Sequence, residues 1–186
     1  MTFKTTNDEV LYLYPYYPYD EKSDEMSKEV YHVFKRNWGL NTYLPDIYAD
    51  LSEAVNEFLT DNEMEDLKVA VAVMPSHSKG MYGESLLKVA HDLAKHFKFL
   101  DSSNLIERTV DKMKSTEGGL RDVGAHLCTL GLSSEIDHSV DTYIILDDIT
   151  TTGSSLEAAK RLLIANGVDA EDIIKIAIAK TTHDDD

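Results

Sequence analysis

At 186 residues the chain is long enough for one domain with a real core and too short for two full ones. Its 42% hydrophobic and 28% charged composition is that of an ordinary globular domain, and no run approaches the roughly 20 apolar residues of a membrane helix, which excludes a helical span. A formal charge of −16 sets most of the surface against nucleic-acid backbone and anionic lipid, so neither is expected as a general partner.

The lone Cys128 allows no intramolecular disulfide and no multi-cysteine zinc site, and Met1 to Val10 lacks a basic start followed by an apolar run. Both features point to a reducing, cytoplasmic location. The charge is unevenly spread: 5 basic and 15 acidic residues from Met1 to Asp66, 9 and 6 from Lys68 to Arg121, and 4 and 13 from Asp122 to Asp186. The middle third is thus a positive island. Taken alone, such an island is most simply a set of solvated helix faces.

Residues Val10 to Tyr19 (VLYLYPYYPY) hold five of the ten tyrosines, and their alternation up to Pro15 predicts a short edge strand or hairpin closed by the prolines. Met26, Val30, Val33 and Phe34 recur at helical spacing. After Pro45 the set Ile47, Leu51, Ala54, Val55, Phe58 and Leu59 makes a second apolar helix face. Lys68 to Met74 (KVAVAVM) is apolar on both faces, as a buried parallel strand is. The loop Pro75 to Gly83 leads into a helix carried by Leu86, Leu87, Ala90, Leu93, Ala94 and Phe97, and a short strand is expected around Asn104 to Thr109. Val110 to Leu120, with Lys112, Lys114, Gly118 and Gly119, is expected to be an exposed and mobile loop.

An apolar helix is expected over Val123 to Leu130, with Cys128 buried in it as a small hydrophobe. Thr142 to Asp147 reads as another buried strand, and Ser154 to Asn166 as a helix with Ser154 and Glu157 forming a capping box and Gly167 as its stop. Ile173 to Lys180 (IIKIAIAK) is a further strand, and His183 to Asp186 a frayed acidic tail. Strands alternating with helices of this length predict an α/β fold, a doubly wound parallel sheet flanked by helices, whose ligands sit at the carboxyl ends of the strands. The histidines lack metal-ligand spacing; His91 and His96 lie five apart on one helix and face different ways.

The strongest chemical signal is Tyr143 to Ser155, YIILDDITTTGSS. A buried strand ends in two adjacent carboxylates, and a hydroxyl-rich loop with one glycine opens into a helix. Glycine lets the backbone approach a ligand closely, and the unpaired N–H groups of the loop and helix start can converge on phosphate oxygens. Asp147 and Asp148 disfavour the phosphate itself but suit sugar hydroxyls one ribose away. A nucleoside-triphosphatase would need Gly-x-x-x-x-Gly-Lys-Ser/Thr, and a dinucleotide site Gly-x-Gly-x-x-Gly; the chain has neither.

This segment resembles the phosphoribosyl pyrophosphate (PRPP) signature of the type I phosphoribosyltransferases, with Thr150 standing where the family usually has an aliphatic residue. The resemblance implies that Asp147 and Asp148 hold the ribose hydroxyls and that Thr151, Thr152, Gly153, Ser154 and Ser155 bind the 5-phosphate. Upstream, Val69 to Gly83 (VAVAVMPSHSKGMYG) is similar to the strand and pyrophosphate loop of the competence-protein ComF branch, and Leu105 to Thr109 (LIERT) resembles the strand entering its catalytic flexible loop. By that likeness Ser76, His77, Ser78, Lys79 and Gly80 form the pyrophosphate loop, with Lys79 touching pyrophosphate, while Arg108, Lys112 and Lys114 close over it. The positive island then serves a polyanionic ligand. The chain lacks the four-cysteine zinc module that many ComF relatives carry.

The implied fold is the type I phosphoribosyltransferase domain: residues 67–182 form the core, residues 1–66 a small tyrosine-rich N-terminal hood with acidic helices, and residues 183–186 the tail. The implied activity is transfer of phosphoribose from PRPP to a nitrogenous acceptor such as a nucleobase, with pyrophosphate released and Mg²⁺ bound through PRPP. The protein would stabilise a ribosyl cation and the leaving group without a covalent nucleophile. Two alternatives stand beside it: a non-catalytic PRPP- or nucleotide-sensing module that controls a partner protein, and a DNA-uptake accessory, which the acidity disfavours. A homodimer is compatible with all three.

Overall fold

The computed structural model describes residues 1–18, 23–112 and 122–182. In chain order the elements are β1 (Lys4–Thr5), β2 (Val10–Tyr16), α1 (Glu25–Arg36), α2 (Leu44–Asp61), β3 (Val69–Val73), α3 (Glu84–Phe97), β4 (Leu100–Asp101), β5 (Ile106–Arg108), α4 (Val123–Leu127), β6 (Leu130–Leu132), β7 (Thr142–Thr150), α5 (Ser154–Ala165) and β8 (Ile173–Thr181). Six strands form one sheet in the order β1-β2-β8-β7-β3-β4, parallel except for β1. The protein is therefore α/β, with a mostly parallel central sheet flanked by helices. No described helix is long and apolar enough to cross a membrane.

The alternation of side chains along each strand builds two cores. Val69, Val71, Val73, Ile144, Leu146, Ile176 and Ile178 pack on one face with residues of α1, α2 and α3. Ala70, Ala72, Tyr143, Ile145 and Ala177 face the other way, against Leu156, Ala158, Ala159 and Leu163 of α5. Burial on both faces explains why these strands read as continuous apolar runs.

The tyrosine-rich segment is one arm of a short antiparallel hairpin at the side of the sheet, turned at residues 6–9, before the prolines, and it also pairs with the next strand inward. β2 runs parallel to β8 from Val10 opposite Lys175 to Tyr16 opposite Thr181, and β1 lies beyond it. Only Leu11 and Tyr12 of β2 pair with β1, so Pro15, which has no N–H to give, lies where the outer side of the strand has no strand partner among the described residues. Tyr14 is buried and donates its hydroxyl to Asp50 of α2 at 2.5 Å.

Two local expectations need correction. α5 is capped by Gly153 rather than by Ser154, which lies inside the helix, so no capping box forms. The reason is backbone freedom: Gly153 adopts φ 73°, turning the chain into the helix one residue early, and its N–H is satisfied by the Thr150 hydroxyl at 3.0 Å. The Glu157 carboxylate is instead shared by Arg161 at 2.9 Å and Lys175 at 3.2 Å. The second correction concerns Val123 to Leu130. α4 stops at Leu127, and Leu130–Leu132 pairs antiparallel with β5. Asp122 caps the short helix through Ala125 N–H, and the Thr129 hydroxyl donates back to carbonyls in its last turn. Cys128 is exposed, because five residues make too little helix to bury it. Gly131 permits the new pairing, since a Cβ there would meet Thr109 Cγ2 at 2.7 Å.

Candidate functional site at the switch point of the sheet

The connection leaving β3 runs through α3 to β4 on one side, and that leaving β7 runs through α5 to β8 on the other. α3 and α5 pack on opposite faces. The carboxyl ends of β3 and β7 are thus the point where the direction of winding reverses, the place at which open parallel sheets form ligand crevices. A cavity of about 650 Å³ opens there, lined among others by Lys35, Ser76, His77, Arg108, Lys112, His126, Asp147, Asp148 and Ser155.

β7 delivers the acids. It pairs with β3 from Thr142 to Leu146 and outruns it, while still paired with β8 through Thr150, so Asp147 and Asp148 lie past the end of β3 on a strand held from one side. Asp147 accepts from the Asp148 N–H at 2.9 Å and from the Ser155 hydroxyl at 2.9 Å. Asp148 accepts from the Ile149 N–H at 2.6 Å and from Lys35 Nζ at 2.7 Å. Burial, followed by the neighbouring Asp148 charge, pushes the Asp147 carboxyl up to about 7, against the opposing pull of Lys35 and Ser155. For Lys35, burial works against the charge, but Asp148 and, behind it, Asp147 and Tyr16 together outweigh it and the pKa rises.

The opposite wall comes from the loop after β3 and from the β5–β6 ribbon. The two are stitched together: Gly80 N–H donates to Arg108 O at 3.0 Å, Lys112 N–H to His77 O at 2.8 Å, and Lys79 N–H to the Asp111 carboxylate at 2.7 Å. Arg108 is only 3% exposed. It donates Nε–H to Ser76 O at 3.1 Å and Nη1–H to the Thr129 hydroxyl, bracing the loop from beneath while still lining the cavity. Burial lowers its pKa, with the Asp147 charge acting in the other direction. His126, on α4, is held well below the usual imidazole range, at about 4, by burial and by the Lys112 and Arg108 charges, so it is neutral at physiological pH.

Among the residues expected to act, Asp147, Asp148, Ser155, Ser76, His77, Arg108 and Lys112 share this cavity. Thr152, Gly153 and Ser154 instead line a neighbouring cavity of about 580 Å³ with Lys160, Arg161 and Lys175, so the loop before α5 is a wall between the two. Thr151 turns its hydroxyl to that of Thr181 at 3.1 Å. Ser78, Lys79 and Gly80 line neither cavity, and Lys79 is exposed. Lys114 and most of the loop expected at Val110 to Leu120 lie outside the described residues, as does the tail from His183 to Asp186.

Two residues were missed by the sequence reading. Lys35 sits in the last turn of α1, where a cation is explained by the helix dipole alone, and His126 belongs to a segment read as an apolar helix. Neither carries a local motif.

The described residues contain no group of three or more His, Cys, Asp or Glu able to hold a metal ion. What the site can do is offer acceptors to a polyhydroxylated group on one side and cations to an anion on the other. Fold and cavity thus define an α/β protein with a polar switch-point site. No protein-family model matches the chain, and no curated protein matches it.

Proposed function

We propose that the chain is a type I phosphoribosyltransferase-like protein that binds PRPP and transfers phosphoribose to a nitrogenous acceptor. The observation that carries this reading is the meeting of the Asp147–Asp148 pair with Arg108 and Lys112 across one cavity at the switch point. Ribose hydroxyls need acceptors and pyrophosphate needs cations, and this cavity offers both on facing walls.

In this reading Asp147 and Asp148 accept hydrogen bonds from the ribose hydroxyls. The 5-phosphate goes to the start of α5, where Ser155 lines the same cavity as the acids; Thr152, Gly153 and Ser154 line the neighbouring cavity, so this reading requires the loop to turn toward the ligand on binding. Arg108 and Lys112 face the leaving pyrophosphate. As the ribose C1–O bond to pyrophosphate breaks and the acceptor nitrogen bonds to C1 with loss of its proton, the ribosyl cation that develops lies beside Asp147, and a carboxylate there stabilises it. Mg²⁺ would fit a site of this kind, since it favours one or two carboxylates plus substrate phosphates, and Asp147 and Asp148 are the carboxylates that line this cavity and would help to hold it. It would neutralise charge on the departing pyrophosphate.

Calorimetry with PRPP and Mg²⁺, followed by a screen for pyrophosphate release with nucleobases, tests the reading. Binding with acceptor-dependent release is expected. A second reading, a PRPP- or nucleotide-sensing module, is favoured by the position of Lys79, the cation expected at the tip of the pyrophosphate loop, outside the cavity. Binding without release under any acceptor would select it, and no binding would refute both.

A further inference from the structure

The four carboxylate oxygens of Asp147 and Asp148 each already accept one donor: Asp148 N–H, the Ser155 hydroxyl, Ile149 N–H and Lys35 Nζ. Two of these donors are backbone N–H groups of β7 itself, and the third is the short Ser155 side chain at the start of α5, close in sequence to the strand. The fourth arrives from α1, 113 residues away in sequence, on a flexible four-carbon stem that is 43% exposed. Lys35 is therefore the donor a ligand can displace without rearranging the strand. Its ammonium also lies in the same cavity as Arg108 and Lys112 but on the opposite, acidic wall.

We propose that Lys35 is an anion ligand of this site, paired with Asp148 in this structure and transferred to the pyrophosphate of the substrate when a ribose hydroxyl takes its place on the carboxylate. This rests on the phosphoribosyl reading above. The exchange conserves pairing at every group: Asp148 gives up one donor and gains another, and the ammonium passes from a carboxylate to a phosphate oxygen. It also eases an electrostatic conflict, because it keeps a protein cation between the two carboxylates and the polyanion in addition to the Mg²⁺ that the polyanion brings.

The role has a signed consequence that a simple tether between α1 and β7 lacks. Lys35→Met should weaken binding of Mg²⁺-pyrophosphate by roughly tenfold or more, the loss of one charge-assisted contact. The same variant should bind ribose 5-phosphate as well as the parent or severalfold better, since Asp148 no longer has to release an ammonium. Lys35→Arg keeps the charge and should restore most of the pyrophosphate affinity, and it covers the case in which Lys35→Met folds poorly. Calorimetry with each ligand on all three proteins, beside thermal melts, reads this out. Equal weakening of both ligands in Lys35→Met, or no change in either, overturns the role of Lys35 and leaves the phosphoribosyl reading standing. A parent protein that binds neither ligand overturns both.

Discussion

The two walls of the switch-point cavity are built in opposite ways. The acidic wall is contiguous: Asp147, Asp148 and Ser155 lie within nine residues, and the β7 ladder to β8 fixes their positions. The cationic wall is assembled from the loop after β3, from Arg108 on β5, from Lys112 and from His126 on α4, held together by loop-to-ribbon hydrogen bonds. A local motif can announce the first kind of wall, because strand, acids, loop and helix follow one another in sequence. The second kind depends on where separate segments meet, so its members carry weaker signals: Ser76, His77, Arg108 and Lys112 are suggested only by scattered, less specific likenesses, and His126 by none.

If the contiguous wall rests on its backbone, its weakest point is Gly153. At φ 73° a β-branched residue is strained by on the order of 1 to 3 kcal/mol, and a Cβ would already stand 3.4 Å from the buried Val10 Cγ2. Gly153→Val should weaken ribose 5-phosphate binding on the order of a hundredfold while circular dichroism still shows a folded protein. Unchanged binding would move the phosphate site elsewhere.

The strand beneath that wall is equally testable. Ile145 is fully buried between β7 and α5, and Ile145→Ala should cost about 3 kcal/mol in urea unfolding by cavity formation. A loss under about 1 kcal/mol would mean that β7 is not the rigid support described.

Charge at the wall gives a smaller, pH-dependent effect. The Asp147 carboxyl is raised in the folded state from the ordinary range to about 7, so the folded protein holds that proton more tightly than the unfolded chain does. Stability then falls as pH rises between about 4 and 7, and the full penalty is present above 7. Asp147→Asn should therefore raise stability at pH 8 by on the order of 2 kcal/mol and by little at pH 4. A gain independent of pH would mean that Asp147 does not titrate in this way.

The smallest effect is expected behind the cationic wall. Cys128 is exposed just past α4, so a thiol reagent should modify it stoichiometrically in the native protein, and Cys128→Ser should change stability by less than about 0.5 kcal/mol. Protection of the thiol until denaturant is added would restore the buried helix that the sequence suggested.

The fold was largely legible because its strands are apolar on both faces. KVAVAVM and IIKIAIAK admit little besides buried parallel strands, and the helix faces at Val30, Val33 and Phe34 and at Leu86, Ala90 and Leu93 pack as their spacing implies. The failures share one physical cause, which is that short elements take their conformation from neighbours. β6 is three residues long and exists because Gly131 lets it approach Thr109, and β4 is two residues alongside β3. The capping box failed because Ser154 and Glu157 satisfy the spacing rule, while Gly153, one residue earlier, can turn the chain alone. In the site, Asp147, Asp148 and Ser155 were legible from one motif. Lys35 was not, because only the packing of α1 on the sheet brings it to Asp148.

The central claim, that the acid pair holds a sugar while cations hold its phosphates, is tested most directly by calorimetry on the double variant Asp147→Asn, Asp148→Asn with Mg²⁺-PRPP and, separately, with inorganic phosphate. Loss of charge-assisted bonds to the ribose should weaken PRPP binding by about ten- to a hundredfold, while removal of two negative charges leaves phosphate binding unchanged or slightly tighter. Tighter binding of both ligands would show that the acids only repel anions, and would contradict a phosphoribosyl ligand at this site.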